Sequence, residues 1–177
     1  MNFLSGTNIH LRAPEPEDIA WVCQWENDSS QWGDGCALAP YSRYVIRTYI
    51  EESVRQDIYQ SRLLRLMIVS ATDGGTLGMI DLFDFDPLHR RASLGVYVAP
   101  EFRRQGIATE ALRLLCEYAF EFLGLHQLYA QAAEENTASL RLFEGAGFVR
   151  CALFADWIFR EGRYENVIGL QRFNPTV

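Results

Sequence analysis

The chain has 177 residues, of which 49% are apolar, 13% aromatic and 22% charged, and this composition predicts a single globular domain spanning residues 1–177. Its 16 basic and 23 acidic residues give a formal net charge of -7, which provides no basic field to hold a nucleic acid. All 16 basic residues are arginines. The lack of lysine excludes a GxxxxGK[ST] phosphate loop and any Schiff base formed on a lysine.

The cysteines and histidines are scattered along the chain without the spacing of a metal site. The N-terminal segment lacks the charged and apolar regions of a signal peptide, and no apolar run approaches the length of a membrane span. These patterns predict a protein with no metal and no membrane partner, in a reducing cytoplasm.

Periodicity in the first half of the chain predicts a strand, two helices and then two strands joined by a hairpin. The predicted elements are a strand at Ile9–Arg12, a helix over residues 16–27, a Gly-rich loop at 32–36, a helix over 42–54 and strands at 63–71 and Thr76–Asp86. The segment Thr72-Asp-Gly-Gly75 is a strong hairpin signal between the last two.

The second half alternates strands and helices and closes on a hairpin. The predicted elements are a strand at 92–99, a helix over 106–123, a strand at 128–133, a helix capped by Asn136 and ending near residue 145, and paired strands at 148–160 and 164–173. Gly95, inside a strand, indicates a bulge or a close backbone approach. The order of elements predicts an α/β fold, with a mixed sheet and helices on both faces.

Residues 96–109 form a strand, a short turn and the start of a helix at Gly106. Backbone N–H groups converge at such a helix start, and the positive end of the helix dipole coincides with them, so the turn is suited to an anion. Gly106 allows close approach of a phosphate, and Arg103 and Arg104 add positive charge. A glycine before a helix is also an ordinary N-terminal feature.

Two segments in the second half of the chain match short sequence motifs. Residues 103–108, RRQGIA, match [RQ]-x-x-G-x-[GA], and residues 136–148, NTASLRLFEGAGF, match N-x-x-[SA]-x-x-[LV]-[YF]-E-x-x-G-F. The chain therefore resembles the GCN5-related N-acetyltransferases, and residues 11–18, 78–100 and 161–167 look like the branch with ribosomal-protein and spermidine acetyltransferases. The resemblance implies a mostly antiparallel mixed sheet of about seven strands, flanked by about four helices.

The resemblance further implies that acetyl-CoA lies between the strand at 94–98 and the strand at 128–133. Backbone groups of Val96 and Val98 would hold the pantetheine amides, residues 103–109 the pyrophosphate, and residues near Asn136 the thioester end. The residues so implied are Val96, Tyr97, Val98, Arg103, Arg104, Gln105, Gly106, Ile107, Ala108, Thr109, Asn136, Ser139 and Phe143. The acetyl group would pass directly to an amine.

Asp81 is the candidate base that must remove a proton from the amine. Strand alternation places it on one face with Leu77, Met79, Phe83 and Phe85, and places Asp84 on the other face. A carboxylate among apolar neighbours either has a raised pKa and acts as a base or is paired with an arginine. Polyamine acetyltransferases of this branch often have a glutamate at the position of Ser93. This chain has a serine there, so the role of that glutamate cannot be assigned to it.

Three alternatives are considered for how the leaving thiolate is protonated or released. Many relatives have a tyrosine at the position of Phe143, whose ring has no proton to give. Ser139 is one substitute, with a helix-capping hydroxyl as the alternative, and Tyr97 is another, with simple packing as the alternative. A CoA thiolate also leaves without a protein acid.

The net charge of -7 favours a cationic amine as the acceptor. A small amine or a protein N-terminal amine is the first hypothesis, spermidine or another polyamine is the alternative, and a non-catalytic acetyl-CoA sensor is the second alternative. Carboxylates that would attract the acceptor, or would simply be solvated, are Glu26, Asp28, Asp34, Glu51, Glu52 and Asp57. Formation of a homo-oligomer is left open.

Overall fold

The computed structural model describes residues 3–28, 39–53 and 55–176. The predicted Gly-rich loop at 32–36, the candidate carboxylate Asp34 and the predicted helix end at Val54 lie outside these residues.

Seven strands and five α-helices form the described part of the chain. In chain order they are β1 (Ile9–Arg12), α1 (Ile19–Glu26), α2 (Arg43–Ser53), α3 (Ile58–Ser61), β2 (Leu64–Ser70), β3 (Thr76–Asp86), β4 (Arg91–Val98), α4 (Ile107–Glu117), β5 (Gln127–Ala133), α5 (Thr137–Gly145), β6 (Val149–Arg160) and β7 (Arg163–Phe173). Short 3₁₀ turns at Pro16–Asp18 and Pro100–Phe102 precede α1 and α4. Over the residues described, no helix is long and apolar enough to cross a membrane.

The seven strands form one sheet in the order β1-β2-β3-β4-β5-β7-β6. Strands β4 and β5 are parallel, and the other neighbours are antiparallel. The connection between β4 and β5 carries α4, as a parallel pair requires a long crossover. The predicted α/β architecture, with a mixed and mostly antiparallel sheet, is confirmed.

Helices cover both faces of the sheet, as predicted. On one face, α1 and α2 bury Val22 and Ile50 against Met67 of β2. On the other face, α4 and α5 bury Leu112 and Phe143 in a larger cluster. Apolar residues alternate between these two clusters along β2, so each strand is held from both sides.

The short helix α3 was not among the four predicted helices. Four residues are too few to show a helical period. Its start is fixed by Asp57, whose Oδ1 accepts the N–H groups of Tyr59 at 2.9 Å and Gln60 at 3.0 Å. The helix predicted over 106–123 is present, but its last turn, Tyr118–Phe122, widens into a π-helix before Gly124.

A bulge in β3 changes which side chains share a face. Phe83 pairs with Ser93 and Asp86 pairs with Arg91, so two residues of β3 face one residue of β4, and Asp84 adopts a left-handed φ of 51°. Phe85 consequently lies in the α4-side cluster, as does Leu77 beyond an irregularity at the other end of the strand. The predicted common face of Leu77 and Phe85 with Asp81 is therefore wrong.

Gly78 of β3 lies against the backbone of β4, and we expect no larger residue to be tolerated there. An added Cβ would overlap the carbonyl oxygen of Tyr97 and lie 3.0 Å from the Cα of Val98. The Gly78→Ala variant should lose about 2 kcal/mol or more of unfolding free energy in a urea titration, because the strands must separate.

Gly145→Ala is the matched control, since nothing lies within 4 Å of its added Cβ in α5. That variant should be neutral or slightly more stable, because alanine favours a helix. A loss below about 0.5 kcal/mol in Gly78→Ala would contradict the close strand contact.

Candidate active site

Strands β4 and β5 pair over a short stretch and then part. The pairs are Arg91 with Gln127, Ala92 with Leu128 and Ser93 with Tyr129. Beyond Ser93, β4 stays paired with β3, while β5 stays paired with β7 as far as its last residue. A wedge-shaped gap therefore opens between two strands that are each held by an outer neighbour.

The backbone of β4 presents polar groups to this gap. Ala99 donates its N–H to the carbonyl of Leu77 at 2.9 Å, so its backbone is directed toward β3. Because strand backbone groups alternate in direction, Val98 and Val96 direct their N–H and C=O groups the other way, into the gap. The carbonyl of Val98 accepts the Nε of Arg103 there at 2.9 Å.

The turn before α4 is built to receive an anion. Arg104 and Gly106 have left-handed φ values of 62° and 79°. The helix ladder begins with the N–H of Glu110 bound to the carbonyl of Gly106 at 3.0 Å, so the N–H groups of the three residues between them lie outside the ladder. An added Cβ at Gly106 would meet nothing within 4 Å. Free donors, open space and two arginines fit a pyrophosphate.

The N-terminus of α5 faces the same gap. The Oδ1 of Asn136 accepts the N–H of Ser139 at 3.1 Å, which confirms the predicted cap. Ala138 and Leu142 lie one turn apart on the helix and line the gap beside Ser139. This helical spacing is the signal that would have identified both residues from the sequence.

Together these elements enclose a cavity of about 640 Å³, within the range of small-molecule sites. Its lining residues from the predicted set are Val96, Tyr97, Val98, Arg103, Arg104, Gly106, Ile107, Ala108, Thr109, Asn136 and Ser139. Phe102, Ala138 and Leu142 line it without having been predicted.

Two predicted acetyl-CoA contacts lie outside the cavity lining. The Nε2 of Gln105 donates to the carbonyl of Glu101 at 3.3 Å, so this side chain turns back toward the preceding turn. Phe143 is 4% exposed and packs edge-on against Phe148, with ring centroids 5.4 Å apart. The ring of Phe143 faces the core because it follows Leu140 by three residues on the buried side of α5.

Asp81 is bound to an arginine, the second of the two arrangements considered for it. Arg65 donates from Nη2 to Asp81 at 2.7 Å and from Nη1 to Glu26 at 2.7 Å. Its guanidinium carbon also lies 5.4 Å from the ring centroid of Tyr49. The side chains of Arg65 and Asp81 are 14% and 17% exposed, so the pair is largely withdrawn from water.

The electrostatics of this cluster keep Arg65 charged. Burial acts to lower the pKa of Arg65, but the negative charge of Asp81 and the hydrogen bond to it outweigh burial and raise the pKa. Burial raises the pKa of Tyr49 to about 12, so its phenol stays neutral. Through Glu26, Tyr49, Arg65 and Asp81, the cluster links α1, α2, β2 and β3 on the sheet face that carries Asp81.

The other predicted acceptor carboxylates have different positions. Asp57 caps α3, while Glu51 and Glu52 lie exposed on α2. Glu26, the last residue of α1, accepts a hydrogen bond from Arg65, which is also the partner of Asp81.

Tyr97 lines the cavity and lies close to Trp25 and Arg103. Its ring lies 5.4 Å from the ring of Trp25 and 5.7 Å from the guanidinium carbon of Arg103. Burial raises the pKa of Tyr97, although the charge of Arg103 opposes the shift. The phenol is therefore protonated at neutral pH and has a proton to donate.

Comparisons with known proteins agree on the family. Residues 8–149 match the family model described as an acetyltransferase (GNAT) domain. The spermidine N(1)-acetyltransferase of Escherichia coli K12 is 28% identical over 167 residues, covering 93% of this chain and 85% of that protein. The putative ribosomal N-acetyltransferase YdaF of Bacillus subtilis is 35% identical over 96 residues, covering 54% of this chain and 52% of that protein.

Solved structures show the same fold. The spermidine N-acetyltransferase of Vibrio cholerae in complex with CoA and spermine has a TM-score of 0.84 at 24% identity, covering 96% of this chain and 97% of that one. A probable acetyltransferase has a TM-score of 0.82 at 28% identity, covering 96% and 94%. The family model matches most of the chain, and the parted strands and the turn at Gly106 agree with it. The chain belongs to the GNAT family of acetyl-CoA-dependent N-acetyltransferases.

Proposed function

We propose that the cavity between β4 and β5 holds acetyl-CoA and that a primary amine is acetylated at its closed end. The observation that carries this proposal is the parting of the two strands directly after the Ser93–Tyr129 pair, beside the Gly106 turn. The donor supplies a thioester acetyl group. Ile107, Ala108 and Thr109 bind the pyrophosphate through backbone N–H groups, with the arginines Arg103 and Arg104 beside them.

The backbone of β4 binds the pantetheine arm of acetyl-CoA in the way that the edge of a sheet binds an added strand. Val96 and Val98 offer N–H and C=O groups along the gap, and Arg103 shares the carbonyl of Val98. From Val98 to Leu94 the strand extends over about 13 Å, at about 3.3 Å per residue. The thioester end is then placed beside Asn136 and Ser139, which line the same cavity.

Proton transfer is assigned to three side chains. A primary amine requires roughly 4 to 5 kcal/mol for deprotonation at pH 7, so a base must act on it. Asp81 is still proposed as that base, although it is paired with Arg65, because it lies on the strand face that carries Tyr97. Tyr97 and Ser139 are the proposed acids, supported by their places in the cavity wall.

The proposed acceptor is the primary amine of a small cationic molecule or of a protein N-terminus. The net charge of -7 favours an acceptor that is positively charged. A second candidate acceptor is spermidine. It is supported by the Escherichia coli relative named as a spermidine N(1)-acetyltransferase, whose similarity extends over 93% of this chain.

We further propose that residues 1–177 form one domain and that copies of the chain associate. The single seven-stranded sheet supports the first proposal. The second is supported by the exposed rings of Trp157, Phe159 and Tyr164 on the β6–β7 hairpin, and by a related Vibrio cholerae acetyltransferase described as dodecameric.

The direct test of the function is release of free thiol from acetyl-CoA in the presence of an amine panel. The panel contains spermidine, small primary amines, aminoglycosides and peptides with varied N-termini. We expect release that depends on one class of amine and that follows saturation kinetics. Tight CoA binding without release for any amine would contradict transfer and support a non-catalytic sensor.

Gly106 provides a test of the donor site that is independent of the acceptor. Gly106→Ala should weaken CoA binding about tenfold or more, because a side chain at a positive φ is strained and would project into the phosphate turn. Calorimetry with CoA measures the change. Gly162→Ala, at a φ of 81° and with equally open space, is the matched control and should keep wild-type affinity. Equal affinities in both variants would contradict the assignment.

Asp81→Asn tests the base. If Asp81 removes the proton, kcat should fall about a hundredfold or more while the Kd for CoA stays constant. Urea unfolding of the same variant measures what the ion pair with Arg65 contributes to stability. A lower free energy of unfolding with an unchanged kcat would show that Asp81 has only a structural role, as the partner of Arg65.

A further inference from the structure

The side chain of Arg103 lies in the gap that opens along β4. Its Nε donates a hydrogen bond to the carbonyl oxygen of Val98 at 2.9 Å, and its guanidinium carbon lies 5.7 Å from the ring centroid of Tyr97. All three residues line the cavity. The backbone of Arg103 is extended, with a φ of -68° and a ψ of 160°, and its side chain reaches back to the end of the preceding strand.

The carbonyl of Val98 has no strand partner in the sheet as the structure describes it. The next residue, Ala99, donates its N–H to the carbonyl of Leu77 in β3. Because backbone groups alternate in direction, the carbonyl of Val98 is directed away from β3, and pairing with β5 has already ended at Ser93. Arg103 thus supplies a donor to an acceptor on a residue that is only 8% exposed.

The same carbonyl belongs to the strand edge that is proposed to bind the pantetheine arm. A pantetheine amide that binds to Val98 must enter the space in front of this carbonyl, where the guanidinium lies. Arg103 and the arm therefore use one acceptor in turn, and the arginine must turn aside before the arm can lie along β4. A pantetheine arm alone replaces a charged donor with a neutral amide, which forms the weaker hydrogen bond.

The pyrophosphate of CoA gives Arg103 a stronger partner than the carbonyl. The turn that is proposed to bind the pyrophosphate, with Arg104 and Gly106 in left-handed conformations, begins directly after Arg103. Arg103 is exposed, so its long side chain can rotate from β4 toward this turn. A guanidinium binds phosphate oxygens through two parallel hydrogen bonds between opposite charges, which one carbonyl oxygen cannot provide.

We propose that Arg103 determines which donors the site accepts. While bound to Val98, its side chain hinders thioesters of pantetheine alone, and the pyrophosphate of CoA removes this hindrance by binding the guanidinium. The inference rests on the proposed function, because it concerns the same donor site. It goes beyond attraction between an arginine and a phosphate, since it predicts that removal of Arg103 improves the binding of a donor without phosphate.

Calorimetry with CoA and with pantetheine, the fragment of CoA that ends before the first phosphate, tests the proposal on the whole chain. Arg103→Ala should bind CoA about tenfold more weakly, because a charge beside the pyrophosphate is lost. The same variant should bind pantetheine about tenfold more tightly than the wild type, because the carbonyl of Val98 becomes available. One substitution thus changes the two affinities in opposite directions.

Two further arginines provide matched variants. Arg104 lines the same cavity, but the carbonyl of Val98 is bound by Arg103, so Arg104→Ala should weaken CoA binding and leave pantetheine binding unchanged. Arg113→Ala should bind both ligands as the wild type does, because this guanidinium pairs with Glu117 on α4 at 2.7 Å. Urea unfolding of each variant checks that the fold is kept.

The Nε–H signal of Arg103 in NMR spectra of isotopically labelled protein gives a readout that does not depend on affinity. The signal is assigned by its absence in Arg103→Ala. Saturating CoA should shift it, because the guanidinium exchanges a carbonyl for a phosphate. A signal that stays unchanged with saturating CoA shows that Arg103 remains on Val98 and overturns the proposal.

The pantetheine affinities give outcomes with distinct meanings. Equal affinity in Arg103→Ala and the wild type, or binding too weak to detect in both, overturns the proposal, since Arg103 then acts on the phosphates alone. Weaker pantetheine binding by the variant also overturns it, because the side chain then supports the groove. CoA binding by the wild type without thiol release for any amine contradicts acetyl transfer, whereas the pantetheine affinities still decide the role of Arg103.

Discussion

The separation of β4 from β5 after Ser93 is the constraint on which the rest of this site depends. A strand inside a sheet normally satisfies its backbone groups on both sides, and here β4 keeps only β3 while β5 keeps only β7 beyond that point. The free edges of two buried strands then face each other across a cavity. A ligand with its own amide groups would satisfy these backbone groups, as proposed for the pantetheine arm of acetyl-CoA.

The charged groups around the gap are unevenly distributed. At the open end, helix α4 begins with unpaired N–H groups beside Arg103 and Arg104, an environment for phosphate. Away from that turn, the carboxylate of Asp81 lies on the sheet face opposite α4 and is paired with Arg65. The positive charge of the site is therefore concentrated at the turn before α4, which is the proposed site of the pyrophosphate.

Periodicity and motif spacing predicted the strands and the turn at Gly106, because these depend on local sequence and on groups that repeat with a fixed period. The partners of individual charges were not predictable. Asp81 meets Arg65 only through strand pairing, and the bulge at Asp84 has no glycine or proline to mark it. Phe143 and Gln105 fit the sequence motif, yet helix α5 directs the ring of Phe143 into the core. The side chain of Gln105, in the turn before α4, donates to the carbonyl of Glu101 instead.

The measurement that tests the central claim most directly is amide hydrogen exchange with and without CoA, resolved to single residues. The account predicts that CoA slows exchange at Val96 and Val98, along the free edge of β4, and at residues 107–109, at the start of α4. Amides on the far side of the sheet, such as those of β1, should be unaffected. Binding of CoA with no added protection along β4, or with protection confined to another part of the chain, would contradict the placement of the donor between the parted strands.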